Sequence, residues 1–496
     1  MLKMYLKQLQ RKLKKLHSKK GEISIYLSLV FTLIISLLIT VISAARGVAL
    51  QVVYECAVES ALLSVFGEYN QELLDRYDVF FIDLSYLSNS PDPQNLEIRL
   101  NEYFEDNFHP ENGTSLLFYS DFLDVTDTNV SLTEYELATD RHGEPFKKQV
   151  VEYMSNLVGV DDVKDMTNLI SVWDSYSLDT EKFPQMQENA AESFASSEKD
   201  SWEQTVIKDK FKTFIMYDEH ALILMGMDFF KLSFETISVS DTLIRRDKEQ
   251  GIGDMREFDF DPTENIFFVE YIMNKMGNYL DQREDTKLKY EAEYIVFGQG
   301  ADIMNMECMV QSLFNVRALE DYISLNLATD KVDSVRPIGE VLEPVTEIPE
   351  PVITQTILLG WAMAEAVTDV RELIKGERVP LIKTSDQINV SIKGLISFLG
   401  NEVELNDEVT EAPVNENGIP NITVGYSDYL RVFLYALPSA YKVYRTMDMI
   451  EQDLRISGTG NEFFRFDVCA DKVKAVFSVE TGFDFRFVGE KKYSYF

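Results

Sequence analysis

The residue types that most often carry chemistry are thinly spread along this chain. Its histidines, His17, His109, His142 and His220, stand apart from one another. None shares the helical spacing, or the cysteine company, that a zinc ion requires. Each is expected to be a surface or structurally satisfied side chain. Two oxygen-rich groups are the candidate cation ligands: Asp259 with Asp261 and Glu264, and Asp124 with Asp127 and Asn129. Neither has the glycine-centred, glutamate-closed loop that holds calcium. Asp261-Pro262-Thr263 also reads as a plain helix start. Gly251-x-Gly253 and Gly458-x-Gly460 lack the third glycine and the strand-to-helix context of a phosphate-binding loop, so both are expected to be turns.

The remaining chemistry is acidic. Glu291 and Glu293 fall on different faces of a predicted helix, so they do not form an acid–base pair. Trp361, Glu365, Asp369, Arg371 and Glu372 share one helix, where buried ion pairs to neighbouring helices are the expected use. Cys56, Cys308 and Cys469 are too few for a disulfide scaffold. Three buried free thiols are expected, with a Cys308–Cys469 bridge as the alternative. No nucleophile–base pair or metal constellation emerges. No catalytic residue, cofactor or metal is expected, and an exterior enzyme is the remotest of the readings.

What must position these residues begins with the N-terminus. Ile23–Ala45 is an uncharged apolar run of 23 residues. At about 1.5 Å per residue it spans roughly 34 Å, enough for the hydrocarbon core of a bilayer. Lys3, Lys7, Arg11, Lys12, Lys14, Lys15, Lys19 and Lys20 precede it with no acid among them, whereas Arg46 is the one basic residue close behind it. The positive-inside rule puts the N-terminus in the cytoplasm and the rest outside the cell membrane, as a single pass. Leu2, Leu6, Leu9, Leu13 and Leu16 recur at helical spacing. The tail is therefore either a topology signal alone or a basic amphipathic helix on anionic lipid. A secretory signal cleaved after Ala45 is the rival reading, although the apolar run is longer than a usual signal core. Within the span, Ser24, Ser28, Thr32, Ser36, Thr40 and Ala44 recur at every fourth position. Such a ridge either receives a partner helix in the membrane or satisfies its hydroxyls against its own backbone.

Composition bounds the rest. The chain has 496 residues, 45% of them hydrophobic and 12% aromatic, which suffices for folded cores. A net charge of −36 excludes nucleic acid as a partner, since phosphates need basic surface. The expected fold is α+β. A long transmembrane helix continues outside, a small antiparallel sheet forms from both chain ends, and a large, mainly helical domain lies between them. The boundaries read as a basic tail (1–20), the membrane helix (21–45), a membrane-proximal helix with strands (46–145), the helical domain (146–457) and C-terminal strands (458–496). Strands are predicted at Val79–Leu84, Val130–Leu137, Phe463–Ala470, Val473–Val479, Phe483–Val488 and Lys492–Phe496. Helices are predicted at 96–108, 264–281, 286–298, 302–326 and 353–375. Pro337, Pro344, Pro349 and Pro351 mark an extended connector, and Asn417-Gly418 suggests a turn.

Four segments together carry a family resemblance: Gly21-Glu22-Ile23-Ser24, Glu68–Leu84, Leu288–Gly298 and Trp361–Lys383. The set resembles a domain-of-unknown-function family of single-pass proteins from Gram-positive anaerobes, whose members accompany tight-adherence (Tad, Flp-type) pilus genes. The anchor is similar to that of TadE-like pseudopilins, with a basic leader, a glycine, then an apolar helix continuing outside. The resemblance implies leader cleavage between Gly21 and Glu22. It departs from the pilin pattern at Tyr26, where a glutamate is usual. It further implies a non-catalytic accessory or minor pilin-like component of a Tad-type pilus or secretion system. Its partners would be membrane lipid and membrane or pilus-assembly proteins, met through Ser24, Ser28, Thr32, Ser36 and Thr40. A tethered surface-binding or adhesion protein with an unprocessed anchor is the alternative.

Overall fold

The computed structural model describes residues 2–86, 90–108, 123–176, 178–216, 227, 232–253, 261–391 and 422–495. His109, His220, Asp259 and the Asn417-Gly418 turn lie outside them. Helix α1 spans Leu2–Phe66 without a break. No proline interrupts it, and leucine, a strong helix former, is its commonest residue. Between Ile23 and Ala45 no side chain is buried, and the first fully buried one is Leu50. It ends where Gly67 N–H donates to Leu63 O at 2.9 Å. Then come α2 (Gln71–Tyr77), β1 (Ile82–Asp83), α3 (Pro93–Asp106) and β2 (Val125–Leu137). Asp92 caps α3 by accepting from Gln94 N–H at 2.8 Å, with Pro93 in the first turn.

The helical domain follows as α4 (Asp140–Leu157), α5 (Val160–Ser175), α6 (Lys182–Ser193), α7 (Trp202–Ile215), α8 (Pro262–Lys275) and α9 (Glu291–Phe297). It continues through α10 (Asp302–Leu327), α11 (Thr329–Thr346) and α12 (Glu350–Lys375) to a two-residue ladder, β3 (Val379–Pro380) with β4 (Thr423–Val424). Helices α13 (Tyr426–Ala436) and α14 (Ser439–Ile456) complete it. From Ile353 to Ile374 nearly every side chain of α12 is buried. A helix enclosed on all sides has no solvated face for its charges, so Glu365 and Asp369 must find partners inside. Gly376, at φ 90°, closes α12 in the left-handed conformation that glycine adopts most freely.

Strands β5 (Cys469–Thr481) and β6 (Arg486–Ser494) return the chain to its start. β5 lies antiparallel to β2 on one side, and to β1 and β6 on the other. Its alternation is strict: Val473, Ala475, Phe477 and Val479 are buried against α1 and α3, while Lys472, Lys474 and Ser478 face outward. From α1, Leu50, Tyr54, Ala57, Ala61 and Val65 meet them at helical spacing. The Tyr54 hydroxyl donates to Phe477 O at 2.9 Å, and its ring stacks on Phe487. Helix α3 covers the outer edge of β2, where Asn101 Oδ1 and Glu97 Oε2 accept from the Val130 and Leu132 N–H groups. An edge covered in this way cannot template further pairing. We refer to this sheet, with α3 and the second half of α1, as the collar.

The α+β class and the use of both chain ends in one sheet follow the expectation from sequence. Several details differ. The proline-rich stretch is helical, because Pro337 and Pro344 lie seven residues apart on the exposed side of α11. The carbonyls they leave without a donor, those of Asp333 and Glu340, belong to exposed residues that face water. Pro349 caps α12 and Pro351 sits in its first turn. The four predicted C-terminal strands merge into two, with Phe466–Val468 a single 3-10 turn. The helix expected over 286–298 shortens to α9, because the Lys287 and Lys289 N–H groups are drawn to Asp453 and Asp302 instead. Cys56 is exposed, Cys308 half-buried and Cys469 buried, and all three are free thiols. Cys56 was expected to be buried, but it lies on the side of α1 facing away from the sheet.

Candidate functional site

Among the described residues one helix, the N-terminal part of α1, is long and apolar enough to cross a membrane, and the residues singled out on it are all placed by α1. Gly21 and Glu22 lie within its helical run, and their side chains are outside the description. Ser24, Ser28, Thr32, Ser36 and Thr40 are exposed. Their hydroxyls are partly used locally: Ser28 donates to Ile25 O at 2.9 Å, Thr32 to Ser28 O at 2.7 Å and Thr40 to Ser36 O at 2.8 Å. Such back-bonding spends the donor and leaves oxygen lone pairs facing outward. Tyr26 projects freely from the same segment.

The ridge has a direction that the sequence did not disclose. Eighteen residues make about five turns of helix, so Thr32 shares its azimuth with Leu50, and Ser36 with Tyr54. Ser28, Thr32 and Ser36 therefore point to the same side of α1 as the collar. A helix packed on that ridge would lie on the collar side of α1.

Where α1 meets the collar the contact is close. The Arg46 guanidinium carbon lies 3.9 Å from the centre of the Phe483 ring. The Phe485 ring approaches Gly47, where an added Cβ would meet it at 3.5 Å. Phe66 is held between Tyr493 and Tyr495, and the Tyr495 hydroxyl donates to Phe66 O at 2.9 Å. Aromatic contacts thus fix both ends of the collar half of α1 to β6 or its hairpin.

The groups examined for chemistry resolve into structure. Asp261 caps α8, accepting from Thr263 N–H at 2.9 Å. Asp124 lies in a left-handed turn against Gly482. No cluster that could hold a metal occurs among the described residues. His142 stands in a left-handed stretch, Arg141–Gly143, that kinks the first turn of α4, with its ring edge-on to Tyr444. The Gly251 N–H donates to Asp140, and Ile252 bridges to Tyr135. The Gly458-x-Gly460 turn wraps the Glu72 carboxylate, which accepts from Ser457 Oγ at 2.9 Å, Asn461 Nδ2 at 2.7 Å and Thr459.

Two buried acid centres are denser than their spacing in sequence suggests. In one, Arg317 and Lys383 face Glu320, Asp321, Glu365 and Asp369, with no side chain among them more than 1% exposed. Lys383 Nζ donates to Glu365 Oε1 at 2.6 Å and Asp369 Oδ1 at 2.8 Å. Arg317 reaches Asp369, Glu320, Asp321 and the Pro380 carbonyl. Burial alone would raise the Asp369 pKa, but Arg317 and Lys383 outweigh it and hold the group below the usual carboxylate range. Burial dominates at Glu320, whose pKa is pushed up to about 7. With four acids for two cations, proton uptake is how the cluster approaches neutrality. In the other centre, Glu291 and Asp453 are both buried, and burial first and then the Asp453 charge raise the Glu291 pKa. Glu291 also accepts from Gly277 N–H at 2.6 Å, and Asp453 from the Tyr77 hydroxyl at 2.8 Å.

A cleft of about 950 Å³ opens between α5 and α8, with Met154, Met166 and Met273 on its apolar wall. Its arginines are already engaged, Arg378 with Asp428 at 2.8 Å and Arg431 with Glu270 at 2.8 Å.

No curated protein and no solved structure matches the chain. The family model described as "Family of unknown function (DUF5702)" matches residues 200–481. That span runs from the start of α7 to the end of β5 and leaves the anchor outside it. With more than half of its 496 residues matched, the chain belongs to this family of unknown function.

Proposed function

We propose that the protein is a single-pass membrane component with a cytoplasmic N-terminus and an extracytoplasmic collar and helical domain. Within that frame it acts as a non-catalytic accessory or minor pilin-like subunit of a Tad-type pilus or secretion system. One observation carries the reading. α1 is a single helix whose stretch Ile23–Ala45 is apolar with no buried side chain, and whose second half is the spine of a folded sheet. A subunit built this way can exchange lipid for partner helices without rearranging its exterior. The leader-like order of basic tail, Gly21 and apolar run supports the same reading, as does the Ser/Thr ridge beneath the collar. Membrane lipid and membrane or assembly proteins are the partners, met through Ser24, Ser28, Thr32, Ser36 and Thr40.

The N-terminus of the mature protein in its native membrane tests this. A chain beginning at Glu22 supports pilin-like processing. An intact Met1 removes processing and leaves a tethered surface-binding protein, a reading that Tyr26 favours. A start at Arg46 would replace the anchor with secretion. Leucine at Ser28, Thr32 and Ser36 tests the ridge separately, and unchanged co-purifying membrane partners would exclude it as an interface.

A further inference from the structure

We infer that the β5–β6 hairpin is a second membrane contact, its tip resting in the headgroup layer beside the point where α1 leaves the bilayer. The inference rests on the anchor reading of Ile23–Ala45. Its occupant is the phospholipid interface, and the surface it extends is the one the apolar helix already presents to lipid.

The argument is one of height. The apolar run ends at Ala45 and the next residue, Arg46, carries the charge that belongs at the interface. The Phe483 ring stacks on that guanidinium at 3.9 Å, so it lies at the same level. Phe485, two residues on, packs at Gly47. The tip is a tight turn: Thr481 N–H donates to Phe485 O at 3.0 Å, and Asp484 N–H to Thr481 O at 3.2 Å. Asp484 takes the left-handed position, with φ 60°. Because the tip is clamped to α1 by two aromatic contacts, it cannot lift from the membrane while the helix stays in it.

The exposure pattern fits. Phe483 is 43% exposed and Val488, farther along β6, is 56% exposed, although both are large apolar side chains on a hairpin. Aromatic rings flanked by polar groups gain most at the boundary between water and hydrocarbon. Asp484, with Asp124 beside Gly482, sets the limit of depth. A carboxylate is tolerated among headgroups and costly among acyl chains. The hairpin therefore rests on the membrane rather than piercing it. This second contact fixes the tilt of the collar and its rotation about the axis of α1, which a lone helix leaves free.

The test is nitroxide accessibility in the full-length protein, purified and reconstituted alone into phosphatidylcholine–phosphatidylglycerol vesicles. Labels are placed by Asp484→Cys at the turn, by Leu38→Cys within the span and by Asp333→Cys on the exposed face of α11, each with Cys56→Ser and Cys308→Ser. The expected result is loss of collisions with aqueous nickel relaxant at position 484, to a level between the lipid-shielded 38 and the open 333. Collisions at 484 equal to those at 333, with 38 still shielded, overturn the inference and leave the anchor standing. Full aqueous access at 38 overturns the anchor reading and this inference with it. Because Asp484 is exposed at the turn, its replacement keeps Phe483, Phe485 and the collar core in place. Near-ultraviolet circular dichroism against wild type verifies this.

Discussion

Lys383 Nζ lies 2.6 Å from Glu365 Oε1, with neither side chain more than 1% exposed. The lysine also reaches Asp369 and Asp321, so one ammonium serves three carboxylates from two helices. Lys383→Met leaves those acids buried with Arg317 as the remaining cation. The expected loss is about 3–5 kcal/mol, the usual cost of stripping one partner from a buried ion pair. The detergent-solubilised protein should show it as a lower denaturation midpoint. Adding Glu365→Gln should recover part of the loss. A Lys383→Met protein as stable as wild type would mean that the cluster contributes nothing.

Glu293 gives the fold a pH dependence of defined sign. It is fully buried, accepts from Tyr279 N–H at 2.9 Å and the Tyr426 hydroxyl at 2.5 Å, and burial raises its pKa from 4.5 to about 7. A carboxyl raised in the folded state contributes its full stability below about pH 4.5. The contribution is lost as pH rises through about 7, and for a shift of this size it is on the order of 3 kcal/mol. Unfolding midpoints measured from pH 4.5 to 8 should fall less steeply for Glu293→Gln than for wild type. The slope is the readout, because the amide also places an N–H₂ where Glu293 Oε2 has no hydrogen-bond partner.

Gly360 sits in α12 against the Phe214 ring of α7, which an added Cβ would strike. Alanine is the better helix former by about 1 kcal/mol. Overpacking a close helix contact costs about 1–3 kcal/mol. The clash should win, so Gly360→Ala is expected to destabilise, with a lower thermal midpoint. A rise would show that α7 yields easily.

Cys56 is the exposed thiol of α1, eleven residues beyond Ala45. With the orientation proposed above, a membrane-impermeant maleimide should modify it in intact protoplasts, and Cys56→Ser should abolish most labelling. Labelling that appears only after permeabilisation would place the collar in the cytoplasm.

The elements legible in the sequence were those whose signal is local. Ile23–Ala45 announces itself by composition, and Val473–Val479 by alternation. Glu365 and Asp369, four apart, were recognisable as one helix face needing partners. The partners were not recognisable, since Lys383 follows Asp369 by 14 residues through a helix end and Arg317 precedes it by 52. The same limit hid the approach of Glu291 and Asp453, which are 162 positions apart, whereas Glu293 is the neighbour in sequence. Pro337 and Pro344 misled for a different reason. The cost of proline in a helix depends on whether the freed carbonyls meet water, and that is a property of the packed face. The collar-facing direction of Thr32 and Ser36 was implicit in helical periodicity, but it acquires meaning only once Leu50 and Tyr54 are seen on the sheet.

The pairing of β2 with β5 joins residues such as Glu134 and Lys474, 340 positions apart. Closing a loop of that length costs about 5 kcal/mol of chain entropy, and the collar core cannot assemble until β5 has been synthesised. During translation the order of events is therefore set. With α1 as the anchor proposed above, that helix enters the membrane first, the helices between β2 and β5 have time to compact as they emerge, and the strand that locks them to the anchor arrives last. A nascent chain stalled before Cys469 would be tethered yet unclasped, with Tyr54, Ala57 and Ala61 bare on α1 beside the translocation channel. In this topology the most exposed moment of biogenesis falls immediately before completion.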